Sequence, residues 1–266
     1  MPVWIVIFAA IALAAQAPSF EVASIKTGVP ADVPTGIRPV TAGGQFHAVL
    51  TLRDLIQVAY GSPLALLPSQ IVGGPAWTAS ERFEITAKAA ALATASPSGG
   101  RDRLLAMMQT LLRERFQLTL RRESRQLPIF NLVIDRPDGK PGPRLRPEDG
   151  KCVSMSGATP ASSDPSQWCG FQRMTPAAIS ARGMTLDEFA SGISTRPDIQ
   201  RVIRNRTGLK GKFDLDLEYT PSLPAQTESG VDLFTAIREQ LGLRLNSGAG
   251  PVDIMVIDHV ERPTAD

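Results

Sequence analysis

Histidine and cysteine are scarce in this chain, with two of each among 266 residues. So few soft or imidazole ligands cannot build a dense metal site, and none is expected. Charge of one sign is also lacking: 28 Lys+Arg stand against 26 Asp+Glu, a formal net charge of +2. That balance gives no general reason to expect a nucleic-acid partner. The motifs G-x-S-x-G, S-x-x-K, H-E-x-x-H, the P-loop and G-x-G-x-x-G are all absent, so no familiar nucleophile or phosphate cradle can be assigned. The longest apolar run, Val3 to Ala15, has 13 residues, short of the roughly 20 that cross a bilayer as a helix.

What is present begins with that run. Trp4–Ala15 has the length of a signal-peptide h-region, and the small residues after it offer cleavage after Ala14 or Ala15. No Lys or Arg precedes it. Residues 1–17 are therefore expected to be an export signal, leaving a mature protein with no membrane span in a periplasmic or secreted location. In that oxidising setting Cys152 and Cys169 are expected to form a disulfide. Sixteen residues separate them, and closing such a loop contributes on the order of 3 kcal/mol in the chain-entropy view. A redox-active pair would need closer spacing.

Residues 136–178 are dense in Pro, Gly and Ser and form a long connection, with one unit expected over 18–135 and another over 179–266. The same order of elements recurs on either side. Thr51-Leu-Arg-Asp and Thr185-Leu-Asp-Glu each open an amphipathic segment, Thr185 and Glu188 at capping-box spacing. Arg82-Phe-Glu-Ile-Thr-Ala87 and Lys212-Phe-Asp-Leu-Asp-Leu217 alternate as half-buried strands. Apolar stripes over Leu104–Leu112 and Leu233–Leu241 follow as helices. Each half closes on a proline strand, Pro128–Asp135 or Pro251–Asp258. With Gln45–Leu50 and Ile179–Met184 as leading strands, each unit reads strand-helix-strand-helix-strand-strand, and Phe116–Arg122 with Pro128–Asp135 reads as a hairpin. The expectation is an internal duplication of the α+β class, helices packed on mainly antiparallel or mixed sheets.

Candidate chemistry is thin. His47 and His259 are the only imidazole bases, and no motif places a hydroxyl or thiol beside either. Asp135 and Asp258 end matching strands. No catalytic residue is assigned. Gly73-Gly-Pro-Ala-Trp77 fixes a sharp turn, and Trp77 is either a binding platform or a plug on the core. Basic residues gather as Arg113, Arg115, Arg121, Arg122 and Arg125, and again as Arg201, Arg204, Arg206, Lys210 and Lys212. The balance is only +4 over residues 1–150 and −2 over 151–266, so the clusters read as solvated faces with at most a weak attraction to an anionic envelope polymer.

These motifs, in order, carry a resemblance: Phe20-Glu-Val-Ala-Ser-Ile-Lys26, Ala59-Tyr-Gly61, Gly73–Trp77, Arg82–Lys88, Leu127-Pro-Ile-Phe130, Thr207–Asp214, Glu239-Gln-Leu-Gly-Leu243 and Val256-Ile-Asp258. The chain resembles a paralogous acidobacterial family of exported proteins whose domain has no assigned function. That resemblance implies export, and it implies kinship with domains attached to membrane-bound peptidases of the antibiotic-sensor type. Where such proteins usually have Asp before the Thr-Gly turn, this chain has Asn205. A looser architectural likeness to the short extracytoplasmic domain of secretins and TonB-dependent receptors implies protein contact. The function expected is an exported, non-enzymatic binding or protein-interaction module without cofactor, its partner an unknown protein or envelope polymer. The alternative is an extracytoplasmic hydrolase with a site between the units, using His47, Asp135 or Asp258 as base.

Overall fold

A computed structural model describes residues 17–41, 43–61, 66–93, 97–153, 164–221 and 230–264. The expected export signal, apart from Ala17, and the middle of the inter-cysteine loop (154–163) lie outside the described residues. The fold is α+β, with three four-stranded sheets.

The first sheet is antiparallel. It is built from β1 (Val22–Lys26), β2 (Gly36–Arg38), β3 (Gln45–Thr51) and, after a short 3-10 turn, β4 (Ile71–Gly73) and α2 (Trp77–Ser80), β5 (Arg82–Lys88), in the spatial order β1-β5-β3-β2. β4 itself goes elsewhere. Between β3 and β4 runs α1 (Leu52–Tyr60), which starts where Thr51 accepts the Asp54 N–H and the Asp54 carboxylate accepts the Thr51 N–H. This reciprocal cap satisfies two of the helix's otherwise orphaned donors. After α3 (Ala90–Ala93), α4 (Pro97–Arg115) packs on α1, where the Gln109 amide donates to the Ala59 carbonyl at 2.7 Å.

A second antiparallel sheet has the order β7-β11-β9-β8, from β7 (Leu145–Pro147), β8 (Gln172–Met174), β9 (Ala178–Met184) and β11 (Phe213–Glu218). α5 (Leu186–Ser194) follows β9, and the predicted Thr185–Glu188 capping box is formed. α6 (Leu233–Leu241) is tied to β11 by the Gln240 side chain, which donates to the Glu218 carbonyl and accepts the Glu218 N–H.

The third sheet joins these parts. β6 (Thr119–Ile134) and β12 (Leu243–His259) run antiparallel over almost their whole lengths, flanked by β10 (Ile203–Asn205) on β6 and by β4 on β12, each parallel to its neighbour. The hairpin expected at Phe116–Asp135 is thus a single 16-residue strand. Glu123-Ser-Arg-Gln-Leu127 holds none of the Gly, Asn or Asp residues that a tight reversal needs, and a long partner strand is available instead. Pro128 and Pro251 are tolerated because β10 and β4 cover only residues 130–132 and 255–257, leaving the middle of each strand with an open outer edge. Phe130 N–H points outward to the Val202 carbonyl, so two residues earlier the ring nitrogen of Pro128 faces that open edge and no ladder bond is lost.

The long strands also divide the interior. One apolar core holds Phe46, Leu55, Phe83, Phe116 and, from β12, Met255 and Ile257. The other holds Ile179, Phe189, Leu215, Leu243 and, from β6, Phe130 and Leu132. Each core is completed by the proline strand of the other half.

Gly73 and Gly74 show why the Gly-Gly-Pro turn has that composition. Both have positive φ, +78° and +71°, and a Cβ at either would press on Ile257 of β12, at 3.0 and 3.1 Å respectively. Only glycine permits both the left-handed backbone and this approach.

Candidate functional site

Trp77 begins α2 and is only 9 % exposed. Its ring meets Phe83 edge-on at 6.0 Å, and the Arg262 guanidinium lies 5.0 Å from its centroid. Cys152 and Cys169 form a disulfide, with Cα atoms 4.9 Å apart. Gly183 in β9 lies against it, where a Cβ would stand 3.0 Å from Cys152 Sγ. The bridge therefore closes the segment 152–169 against β9 of the second sheet.

The candidate bases are dispersed. His47 on β3 shares a hydrogen bond with Glu84 on β5 at 3.0 Å, and this contact is the main cause of a Glu84 pKa below the usual carboxylate range. No hydroxyl is among the hydrogen-bond partners of this imidazole, and its Nδ1 is buried without a partner. His259 is exposed and contacts Glu261 at 3.1 Å. Asp135 pairs with Arg244 at 3.2 Å and Asp258 with Arg121 at 3.4 Å. These two carboxylates stand at opposite ends of the β6–β12 ribbon, about 50 Å apart at the usual rise per strand residue. They do not converge.

What the fold brings together is different. A cleft of about 500 Å³ opens over the crossing strands, a volume in the range of small-molecule sites. β12 supplies Val252, Asp253 and Met255, and β6 supplies Arg122 beside them, opposite Met255 in the ladder. From one side come Tyr60 at the end of α1, Leu66 and Gln70; from the other come Asp187, Ser191 and Ser194 of α5. The strand β10 and its flanks, Val202 to Arg206, close the remaining wall.

Local bonds fix several of these groups. The buried Gln70 amide donates to the Asp253 carbonyl at 2.8 Å and accepts the Leu67 N–H. Asn205 donates to Asp187 at 3.2 Å while its carbonyl accepts from the Thr207 N–H and hydroxyl, an Asx turn that locks the end of β10. Arg204 reaches over β6 to donate to the Pro251 carbonyl on β12. Its Nε is buried with no partner. Burial pushes the Tyr60 phenol above its ordinary value, so at neutral pH it keeps its proton and is a donor. Arg122 and Arg206 are exposed, and no side-chain partner holds either among the described residues.

The basic residues were visible in the sequence as two clusters; their convergence was not. It depends on β10 pairing with β6 across more than seventy residues of chain. Chemically, the cleft is rich in hydrogen-bond donors. Arginine is permanently protonated and cannot serve as a base, but its planar fork suits acceptor-rich ligands. Among the described residues no three His, Cys, Asp or Glu side chains gather closely enough to hold a metal ion.

A family model described as a protein of unknown function, DUF3738, matches residues 53–260. No curated protein and no solved structure matches the chain.

Proposed function

The chain belongs to the DUF3738 family, and from its geometry we propose that it is an exported, non-enzymatic binding module whose ligand site is the cleft over the crossing strands. One observation carries this reading. The cleft draws donors from both halves of the chain, whereas His47, His259, Asp135 and Asp258 all lie outside it in pairs of their own. Trp77, outside the cleft as well, serves the first core in this reading.

The halves 18–135 and 179–266 are read as duplicated units joined by the 136–178 connection. Supporting this, a seven-residue strand leads into a nine-residue helix with a Thr capping box in each half. Each half then gives a three-residue strand to the shared sheet and ends on a strand that completes the other half's core. Export is supported by the apolar run at Trp4–Ala15 and by the disulfide; no described helix is long and apolar enough to cross a membrane. The motif series from Phe20 to Asp258 supports an acidobacterial paralogous origin, and the mild charge of the two halves supports a ligand other than nucleic acid.

The test is retention without turnover. The mature chain is incubated with an envelope extract and freed of unbound solutes, and the bound material is released by denaturation and identified by mass spectrometry. The same compound recovered unchanged after minutes and after hours is the expected result, with recovery lost in an Arg122→Ala/Arg206→Ala chain. Time-dependent conversion of the retained compound would overturn the reading in favour of an enzyme.

A further inference from the structure

We propose that the cleft takes a short peptide by its C-terminal carboxylate, with an apolar last side chain on the floor; this deepens the binding-module reading and rests on it. The cationic part of the cleft is Arg122, Arg204 and Arg206. Among the described residues the Arg122 and Arg206 guanidinium forks are uncommitted, and the Arg204 Nε is buried and unsatisfied even though its other end is spent on Pro251. A buried donor without a partner costs free energy that an incoming acceptor recovers. A carboxylate is the acceptor whose planar, two-oxygen geometry fits such forks.

The rest of the cleft narrows the class of acid. Met255 is buried on the floor, on the face of the ribbon that carries Arg122, with Ile203 and Leu66 beside it. They offer an apolar surface that a bare inorganic anion would leave unused. Two aspartates also line the site, and they differ in status. Asp187 is held by Asn205, whereas the Asp253 carboxylate on the exposed face of β12 has no side-chain partner among the described residues. An acceptor lining the same cleft as three arginines suits a ligand that carries N–H donors as well as an acid. Tyr60, protonated at neutral pH, adds one more donor for a peptide carbonyl. A volume of about 500 Å³ accommodates a few residues rather than a folded partner.

Calorimetry on the full mature chain provides the test, with four probes: Ala-Ala-Leu as the free acid, the same peptide as its C-terminal amide, octanoate, and inorganic phosphate. The free acid is expected to bind at least tenfold tighter than the other three. Arg122→Ala and Arg206→Ala are each expected to weaken it about tenfold without shifting the thermal midpoint, and Asp253→Asn is expected to weaken the peptide but not octanoate. Equal binding of acid and amide overturns carboxylate recognition. Octanoate matching the peptide overturns the peptide class, and phosphate alone binding overturns both. If none of the four binds, the proposal fails, while the wider reading is decided separately by retention from extract.

Discussion

Leu127 of β6 faces Gly250 of β12 at the eighth of fifteen uninterrupted pairs, the midpoint of the ribbon that joins the two cores. On one side of that pair β6 carries Phe130 and Leu132 into the second core; on the other, β12 carries Met255 and Ile257 into the first. Neither core is closed without a strand that also belongs to its neighbour.

The two cores are therefore expected to unfold together. In residues 18–266 carrying Trp168→Phe, Trp77 is the sole indole and reports the first core, while Leu132→Ala opens a cavity in the second. That substitution is expected to cost about 2–5 kcal/mol and to lower the urea midpoint read from Trp77 as much as the midpoint read from far-UV circular dichroism. Separate transitions for the two probes would show the cores to be independent.

Phe83 is fully buried and meets both Trp77 and Phe116 edge-on, at 6.0 and 5.1 Å. Phe83→Ala removes both contacts and leaves a void, with an expected loss of about 3–5 kcal/mol. A denaturant titration measures it; a loss under 1 kcal/mol would mean that the surrounding core collapses into the space.

Reducing the Cys152–Cys169 bridge, which spans 17 positions of sequence, is expected to lower unfolding free energy by about 3 kcal/mol. Cys152→Ser/Cys169→Ser should match the reduced wild type, and reductant should then have no further effect. Unchanged stability after reduction would place the bridge on a segment that is already unfolded in the transition's starting state.

Glu123 lies between Arg121 and Arg125 on one face of β6, hydrogen-bonded to Arg125 at 2.7 Å and to Arg121 at 2.9 Å. The bond from Arg125, followed by that from Arg121, lowers its pKa from 4.5 to about 2. Because the folded value is the lower one, the stabilisation is present above the ordinary carboxylate pKa and is lost as pH falls through that window toward about 2. Stability measured from pH 6 to 2 should fall less steeply in Glu123→Gln, and by less again in high salt, since this cluster is solvent-exposed. An unaltered acid limb would remove Glu123 as its source.

Local chemistry was legible in the residues. Thr185 with Glu188 announced the start of α5, and the alternation of Phe213, Leu215 and Leu217 announced β11. The disulfide followed from counting cysteines. Legibility stopped where structure depended on partners distant in sequence. β4 and β10 have three residues each and exist because a long strand lies beside them. The centre of β6 is too charged and too exposed to alternate, so its continuity is set by pairing with β12 and not by its own pattern. The cleft inherits that difficulty: Arg122 and Arg204 stand 82 positions apart in sequence, and the parallel β6–β10 contact brings both to its lining.

The shared ribbon also sets a calendar for the chain. A polypeptide emerging N-terminus first has every helix of its first core by Arg115, yet that core stays unsealed until Met255 and Ile257 arrive near the far end. The order of synthesis and the order of closure are thus opposed, and almost the entire chain must be delivered before any of it is finished. Under the export reading proposed above, such a chain would still be pliable while it is threaded through a narrow pore, and would set only when its last strand comes across.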